Sequence, residues 1–286
     1  MPEYTDDHGV AIVYDVHPAT TAPRAIVQLL HGVGEHAGRY GALIAQLTAN
    51  GYTVYADDHR GHGRTGLRQH GDPARLGRLG RGGMPATVAA LRQFSELIRA
   101  ENPDLPLVLL GHSWGSFLAQ MLVNDDPEAY DAVVLTGTAL RWPGSLNAGA
   151  LNAPWKGPDA TGREWLSSDP AVGEAFGADP LTTDRPLLAL FGPIDAARLF
   201  GRPGKGLRGR RAADLPVLIM VGREDTVGGA TSAHRLARAY RERSGFEDIT
   251  TLVYPGARHE VFNEVQQADV RADLLAWLDA RFPVRV

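Results

Sequence analysis

The chain has 286 residues, 22% charged and 44% hydrophobic, with a formal net charge of −4; this ordinary globular balance gives no global pull toward nucleic acid or anionic membranes. It contains no cysteine, which excludes disulfides, a thiol nucleophile and cysteine-ligated metal. The opening MPEYTDDHGVAIVYDV is acidic and lacks the basic and apolar segments of a signal peptide, and no apolar run reaches membrane-spanning length, so a soluble, cytoplasmic protein is expected.

Taken in chain order, short apolar runs rich in β-formers alternate with stretches of helical spacing. AIVQLL (25–30) reads as a strand, followed by the glycine-rich loop HGVGEH (31–36) and a helical pattern over Arg39–Asn50. YTVYA (52–56) is the next strand. GHGRTG (61–66) satisfies G-x-G-x-x-G, but the sequence beyond it is too glycine-rich for the helix that a dinucleotide site requires. Arg60, Arg64, Arg68, Arg75, Arg78 and Arg81 crowd this stretch, as Arg208, Arg210 and Arg211 do a later one. They are expected to be solvated surface groups, with docking on anionic lipid headgroups as the functional alternative; without interleaved aromatics, nucleic-acid binding has no support. HGVGEH has neither spacing of a zinc-binding helix, and GRPGKG (201–206) lacks that of a phosphate loop.

Helical spacing over Pro85–Ala100 leads into the strands PLVLLG (106–111) and DAVVLTG (131–137), which flank a helix at Ser116–Asn124. About 75 residues then pass before the strand PVLIMVG (216–222), far more than an ordinary connection needs. They hold Trp142, Trp155 and Trp165 and the apolar stretch Pro186–Phe200, which predicts a helical cap whose apolar residues fill its own core or line a substrate cavity. Helices over Ala230–Arg243 and Gln267–Arg281 enclose the last strand, ITTLVY (249–254). Runs that are apolar on both faces, alternating with helices, predict an α/β fold with a mostly parallel central sheet flanked by helices. The expected core is 1–138 plus 213–286, with the cap inserted at 139–212.

Within LLGHSWGSF (109–117), Gly111-His112-Ser113-Trp114-Gly115 fits G-x-S-x-G, a strand-to-helix elbow that exposes a serine hydroxyl in α/β-hydrolases. The strand before it and the helical pattern after it supply the required context. A serine needs a general base and a group that orients it, in the chain order Ser, Asp/Glu, His. REDTV places Glu224 and Asp225 just past one strand, and PGARHEVF places His259 past the next. Asp225 is preferred over Glu224 because its shorter side chain lies further into the loop. The oxyanion needs two backbone N–H donors: Trp114, which follows the nucleophile, and Val33, in the glycine-rich loop.

LLHGVGEHAGRY, YADDHRGHGRTG, LLGHSWGS and YPGARHEVFNE together resemble the monoacylglycerol lipase and lysophospholipase branch of the α/β-hydrolases, especially its bacterial monoacylglycerol lipases. The resemblance spans nearly the whole chain and puts Ser113, Asp225 and His259 on the family triad and Val33 and Trp114 on its oxyanion donors. It implies hydrolysis of a small monoacyl lipid ester through an acyl-enzyme, with no cofactor and no metal, and peripheral contact with a lipid surface through the cap. Lysophospholipase or short-chain carboxylesterase activity is the alternative within the class; a noncatalytic ligand-binding α/β-hydrolase is the rival outside it. Trp114 and Ser116 stand where the family usually has methionine and a second glycine, which bears on acyl-chain preference and leaves the backbone donor intact.

Overall fold

In a computed structural model, which describes residues 1–147, 149–205 and 214–284, eight strands form one sheet. They are β1 (Glu3–Thr5), β2 (Ala11–His17), β3 (Ala25–Leu30), β4 (Tyr52–Asp57), β5 (Leu107–His112), β6 (Ala132–Thr136), β7 (Val217–Gly222) and β8 (Ile249–Tyr254). Their order across the sheet is β1-β2-β4-β3-β5-β6-β7-β8. β1 and β2 run antiparallel to their neighbours, and every other pairing is parallel.

The apolar runs are strands because helices cover both faces of the sheet. One face carries Ile26, Leu30, Leu109, Leu135 and Ile219, packed with Leu91 and Phe94 of α3 (Gly83–Glu101), Leu118 of α4 (Trp114–Asp125) and Leu236 of α7 (Gly229–Ala239). The other carries Val27, Leu29, Val108, Leu110 and Leu218 against Leu43 and Leu47 of α1 (Gly41–Ala49) and Leu274 and Leu278 of α8 (Gln267–Asp279). A fully buried aliphatic side chain of this kind contributes about 1.5–3 kcal/mol. The strands of this core are therefore fixed independently of the loops that carry chemistry.

Two expectations about the Gly/Arg-rich segment are corrected. A helix does open at Gly63, α2 (Gly63–His70), but its N-terminus is filled from within. Asp58 Oδ2 accepts the Arg64 N–H (2.9 Å) and Oδ1 the Ala37 N–H (3.1 Å), so a carboxylate of the chain occupies the place of a phosphate. Nor is Arg60 a solvated surface group. It is buried, ion-paired with Asp6 and bonded to the Arg81 carbonyl (2.5 Å). Arg64 is tied to Asp15 (2.8 Å) and Asp58 (2.6 Å). Arg208, Arg210 and Arg211 lie outside the described residues.

The β1–β2 hairpin was not expected from its acidic sequence. Tyr4 and Tyr14 anchor it by packing on Phe94, Tyr4 stacked with its centroid 5.4 Å away and Tyr14 tilted at 5.0 Å. Between Thr136 and Val217 the described residues contain α5 (Pro170–Ala178) and α6 (Leu187–Arg198). Gly192 breaks α6 at φ 72°, and Pro193 follows it; a residue without Cβ reaches that conformation cheaply, and the proline removes a helical donor.

Candidate active site

The parallel strands end along one edge of the sheet, and the loops leaving that edge form the site. At the end of β5 the backbone turns so sharply into α4 that Ser113 sits at φ 54°, ψ −122°, the one positive φ outside glycine among the described residues. Such a conformation costs on the order of 1–3 kcal/mol and persists only where its surroundings impose it. Here the Ser113 N–H is held by the Thr136 carbonyl (2.9 Å), and the Ser113 carbonyl accepts the Ser116 hydroxyl (2.6 Å). The flanking glycines are steric requirements. A Cβ on Gly111 would lie 2.5 Å from the Gly115 carbonyl oxygen, and one on Gly115 would collide with the Leu30 carbonyl of β3.

Asp225 follows β7 and His259 follows β8, and the two meet. His259 Nδ1 is 3.1 Å from Asp225 Oδ1, which also accepts the Val227 N–H (2.8 Å). Of the two adjacent acids, Asp225 is buried against the histidine and Glu224 is exposed. The Nδ1–H donates to the carboxylate, which leaves Nε2 as the proton acceptor. Nε2 is buried and makes no hydrogen bond among the described residues. The serine hydroxyl and Nε2 are thus not bonded to one another in this state, a looseness common in ligand-free hydrolases. Burial acts to lower the imidazole pKa, but the Asp225 carboxylate, with Glu260 and Glu35 behind it, overrides burial and raises it. His112 is driven the opposite way, to about 3, by burial and by the neighbouring His259. Of the two imidazoles, tilted against one another at 4.8 Å, only His259 is hydrogen-bonded to a carboxylate; His112 Nδ1 is bonded to the Thr136 hydroxyl instead.

Val33 and Trp114 line the same cavity as Ser113, His112 and His259. Their amide N–H groups make no hydrogen bond among the described residues; Trp114 is the first residue of α4, where an N–H has no intrahelical acceptor. The Gly32 amide is engaged differently, donating to Glu35 Oε1 at 2.6 Å. The cavity has a volume of about 650 Å³ and is walled mainly by apolar side chains, among them Phe117, Leu146, Leu151, Leu190 and Leu199. Glu35, Asn152, Arg163 and Glu260 add polar groups to its wall. A mainly apolar volume with a few polar groups in its wall suits a molecule with one apolar chain and one polar head.

Sequence reasoning missed three features of the site. Trp165, from the segment between β6 and β7, packs over the His259 ring at 4.8 Å, and the Glu260 N–H donates to the Leu166 carbonyl at 2.7 Å. Trp114 is 1% exposed and wedged against His62 and Phe191, with centroids 4.9 and 5.1 Å away. Arg39 lies in a 3₁₀ turn (Ala37–Tyr40) ahead of α1, rather than on the expected helix, and pairs with Glu35 and Glu260. Only the Glu35–Arg39 spacing of four was visible in the sequence.

A mostly parallel sheet flanked by helices, with its reactive loops gathered at the carboxyl edge, makes this an α/β-hydrolase. Residues 21–266 match the family described as serine aminopeptidase, S33, and the chain belongs to that family of serine hydrolases. It is 33% identical to the monoacylglycerol lipase of Mycolicibacterium smegmatis, over 94% of this chain and 93% of that one. It is 28% identical to the monoglyceride lipase of Mus musculus, over 98% and 91%. The fold is shared with a carboxyl esterase from Bacillus coagulans, solved in complex with glycerol: TM-score 0.84 at 23% identity, covering 98% of both chains.

Proposed function

We propose that the chain hydrolyses the ester bond of monoacylglycerol, releasing a fatty acid and glycerol through an acyl-enzyme on Ser113. The observation that carries this reading is the strained Ser113, opening onto an apolar cavity shared with a histidine hydrogen-bonded to a buried aspartate. The names of the relatives supply the substrate class. Ser113 Oγ attacks the ester carbonyl and passes its proton to His259 Nε2, while the Val33 and Trp114 amides take up the charge on the carbonyl oxygen. Asp225 orients the ring and stabilises the imidazolium. Collapse expels glycerol, protonated by His259. Water then attacks the acyl-enzyme, again losing its proton to His259, and fatty acid leaves. Reaction with a fluorophosphonate tests the first step: one phosphonyl group per chain, located on Ser113 by peptide mass spectrometry, is expected, and labelling of another residue contradicts the assignment.

In the same reading, residues 139–212 form a cap over the site, although its boundary near 212 falls outside the described residues. Trp114 sets the shape of the acyl wall. Trp114→Met removes the indole without touching the backbone donor, so the preferred chain length should move by two or more carbons while hydrolysis persists; an unchanged profile across an ester series would show that the indole does not bound the acyl site. Among the described residues no helix is long and apolar enough to cross a membrane. Contact with lipid is proposed through exposed Leu188 and Ile194 of α6. Leu188→Ser combined with Ile194→Ser should weaken co-sedimentation with phosphatidylcholine vesicles by at least about ten-fold, since losing the burial of even one aliphatic side chain costs about 1.5–3 kcal/mol; equal sedimentation of variant and parent would remove the proposal.

A further inference from the structure

We infer that Arg39 is a positioning residue that ties the oxyanion loop to the loop of the catalytic histidine, so that the two halves of the site are held in register by one guanidinium. The inference rests on the proposed roles of Ser113, His259 and Val33. Arg39 Nη1 lies 2.6 Å from Glu35 Oε2 and 2.8 Å from Glu260 Oε1, and Nη2 lies 2.9 Å from Glu260 Oε2. All three side chains are 10% exposed or less. On one side, Glu35 uses its other oxygen to accept the Gly32 N–H and the Tyr40 hydroxyl, both at 2.6 Å. Gly32 immediately precedes Val33 and stands against the nucleophile, since a Cβ built on it would lie 3.1 Å from the Ser113 Cβ. On the other side, Glu260 immediately follows His259, and Asn263 fixes its second oxygen at 2.8 Å.

The arrangement is a connector rather than a headgroup site, because every carboxylate oxygen already has a partner in the protein. A planar fork is needed to hold one carboxylate with two nitrogens while reaching a second. Phe176 of α5 lies over the guanidinium at 4.9 Å, shielding the tie from water. Two carboxylates on one guanidinium leave a net negative charge facing His259. The other groups facing that ring are Asp225, the neutral His112 and the uncharged Trp165.

Arg39→Lys keeps the charge but loses the fork, and Glu260→Gln keeps the shape but loses the ion pair; neither leaves two carboxylates buried without a cation, which would threaten folding. With a short p-nitrophenyl ester, each variant should lower kcat by about ten-fold or more with KM within about two-fold, as expected when reacting groups are slightly displaced. The double variant should be no worse than the worse single one, since both cut the same tie. Glu260→Gln should also move the acidic limb of kcat/KM to lower pH, because a carboxylate that favours the imidazolium is gone; Arg39→Lys should leave that limb in place. Wild-type kcat in Arg39→Lys, strictly multiplicative losses in the double variant, or an unmoved limb in Glu260→Gln would overturn the inference. A parallel Ser113→Ala sample separates the two levels: if it is inactive while Arg39→Lys is unimpaired, the tie fails and the triad stands, whereas an active Ser113→Ala removes both.

Discussion

Ser113→Ala is expected to lower kcat/KM toward any ester by about four to six orders of magnitude, the scale seen when a triad nucleophile is removed. The serine occupies a backbone conformation that costs energy, and it lines the cavity together with His259. That strain yields a companion result. Ser113→Gly should be equally inactive and more stable, by on the order of 1 kcal/mol, because glycine reaches φ 54° without a Cβ penalty. Thermal melts of wild type, Ser113→Ala and Ser113→Gly, alongside initial rates, check both parts. Rates within ten-fold of wild type for either variant would exclude Ser113 as the nucleophile.

Asp225→Asn carries the second large effect, an expected loss in kcat of roughly 10⁴-fold with little change in KM. Asparagine is nearly isosteric, so the 3.1 Å contact with His259 and the bond from the Val227 N–H can persist. Its amide nevertheless favours the wrong imidazole tautomer and offers no charge to the imidazolium. The pH profile gives an independent reading of the same contact. In the wild type the carboxylate raises the His259 pKa against burial, and in the proposed mechanism the neutral ring is the base. Activity should therefore be lost as pH falls through a midpoint above about 6.5, the ordinary imidazole value. In Asp225→Asn burial is opposed only by Glu260 and Glu35, so the midpoint of the residual activity should move down. A midpoint that stays put, or a kcat within ten-fold of wild type, would mean that Asp225 does not act on His259.

The parts of this molecule legible in its sequence are those fixed by short-range pattern. AIVQLL, PLVLLG and ITTLVY end up as strands within a residue of their apolar limits because helices cover both faces. The order of Ser113, Asp225 and His259 follows from the order in which the strands reach one edge of the sheet, and a parallel topology makes that edge common to all three loops. What stayed hidden is side-chain partnership across long separations. Arg60 looked like one of a crowd of surface arginines because Asp6, 54 residues away, was not recognisable as its partner. Arg39 and Glu260 are 221 residues apart, and neither belongs to a motif that names the other. α2 was overlooked for a local reason, since glycine-rich sequence predicts turns. At the start of this short helix Asp58 supplies the acceptor for the Arg64 amide.

The account turns on hydrolysis of a monoacyl lipid ester at Ser113, and the most direct test is fatty-acid release by the purified protein from a matched panel. The panel comprises monoacylglycerols of several chain lengths, lysophosphatidylcholine, a triacylglycerol and a short p-nitrophenyl ester, each run beside Ser113→Ala. The account predicts the highest kcat/KM on a monoacylglycerol and no turnover above background in the variant. Preference for lysophosphatidylcholine, or activity confined to the short ester, would contradict the substrate assignment, and turnover that survives in Ser113→Ala would contradict the mechanism itself.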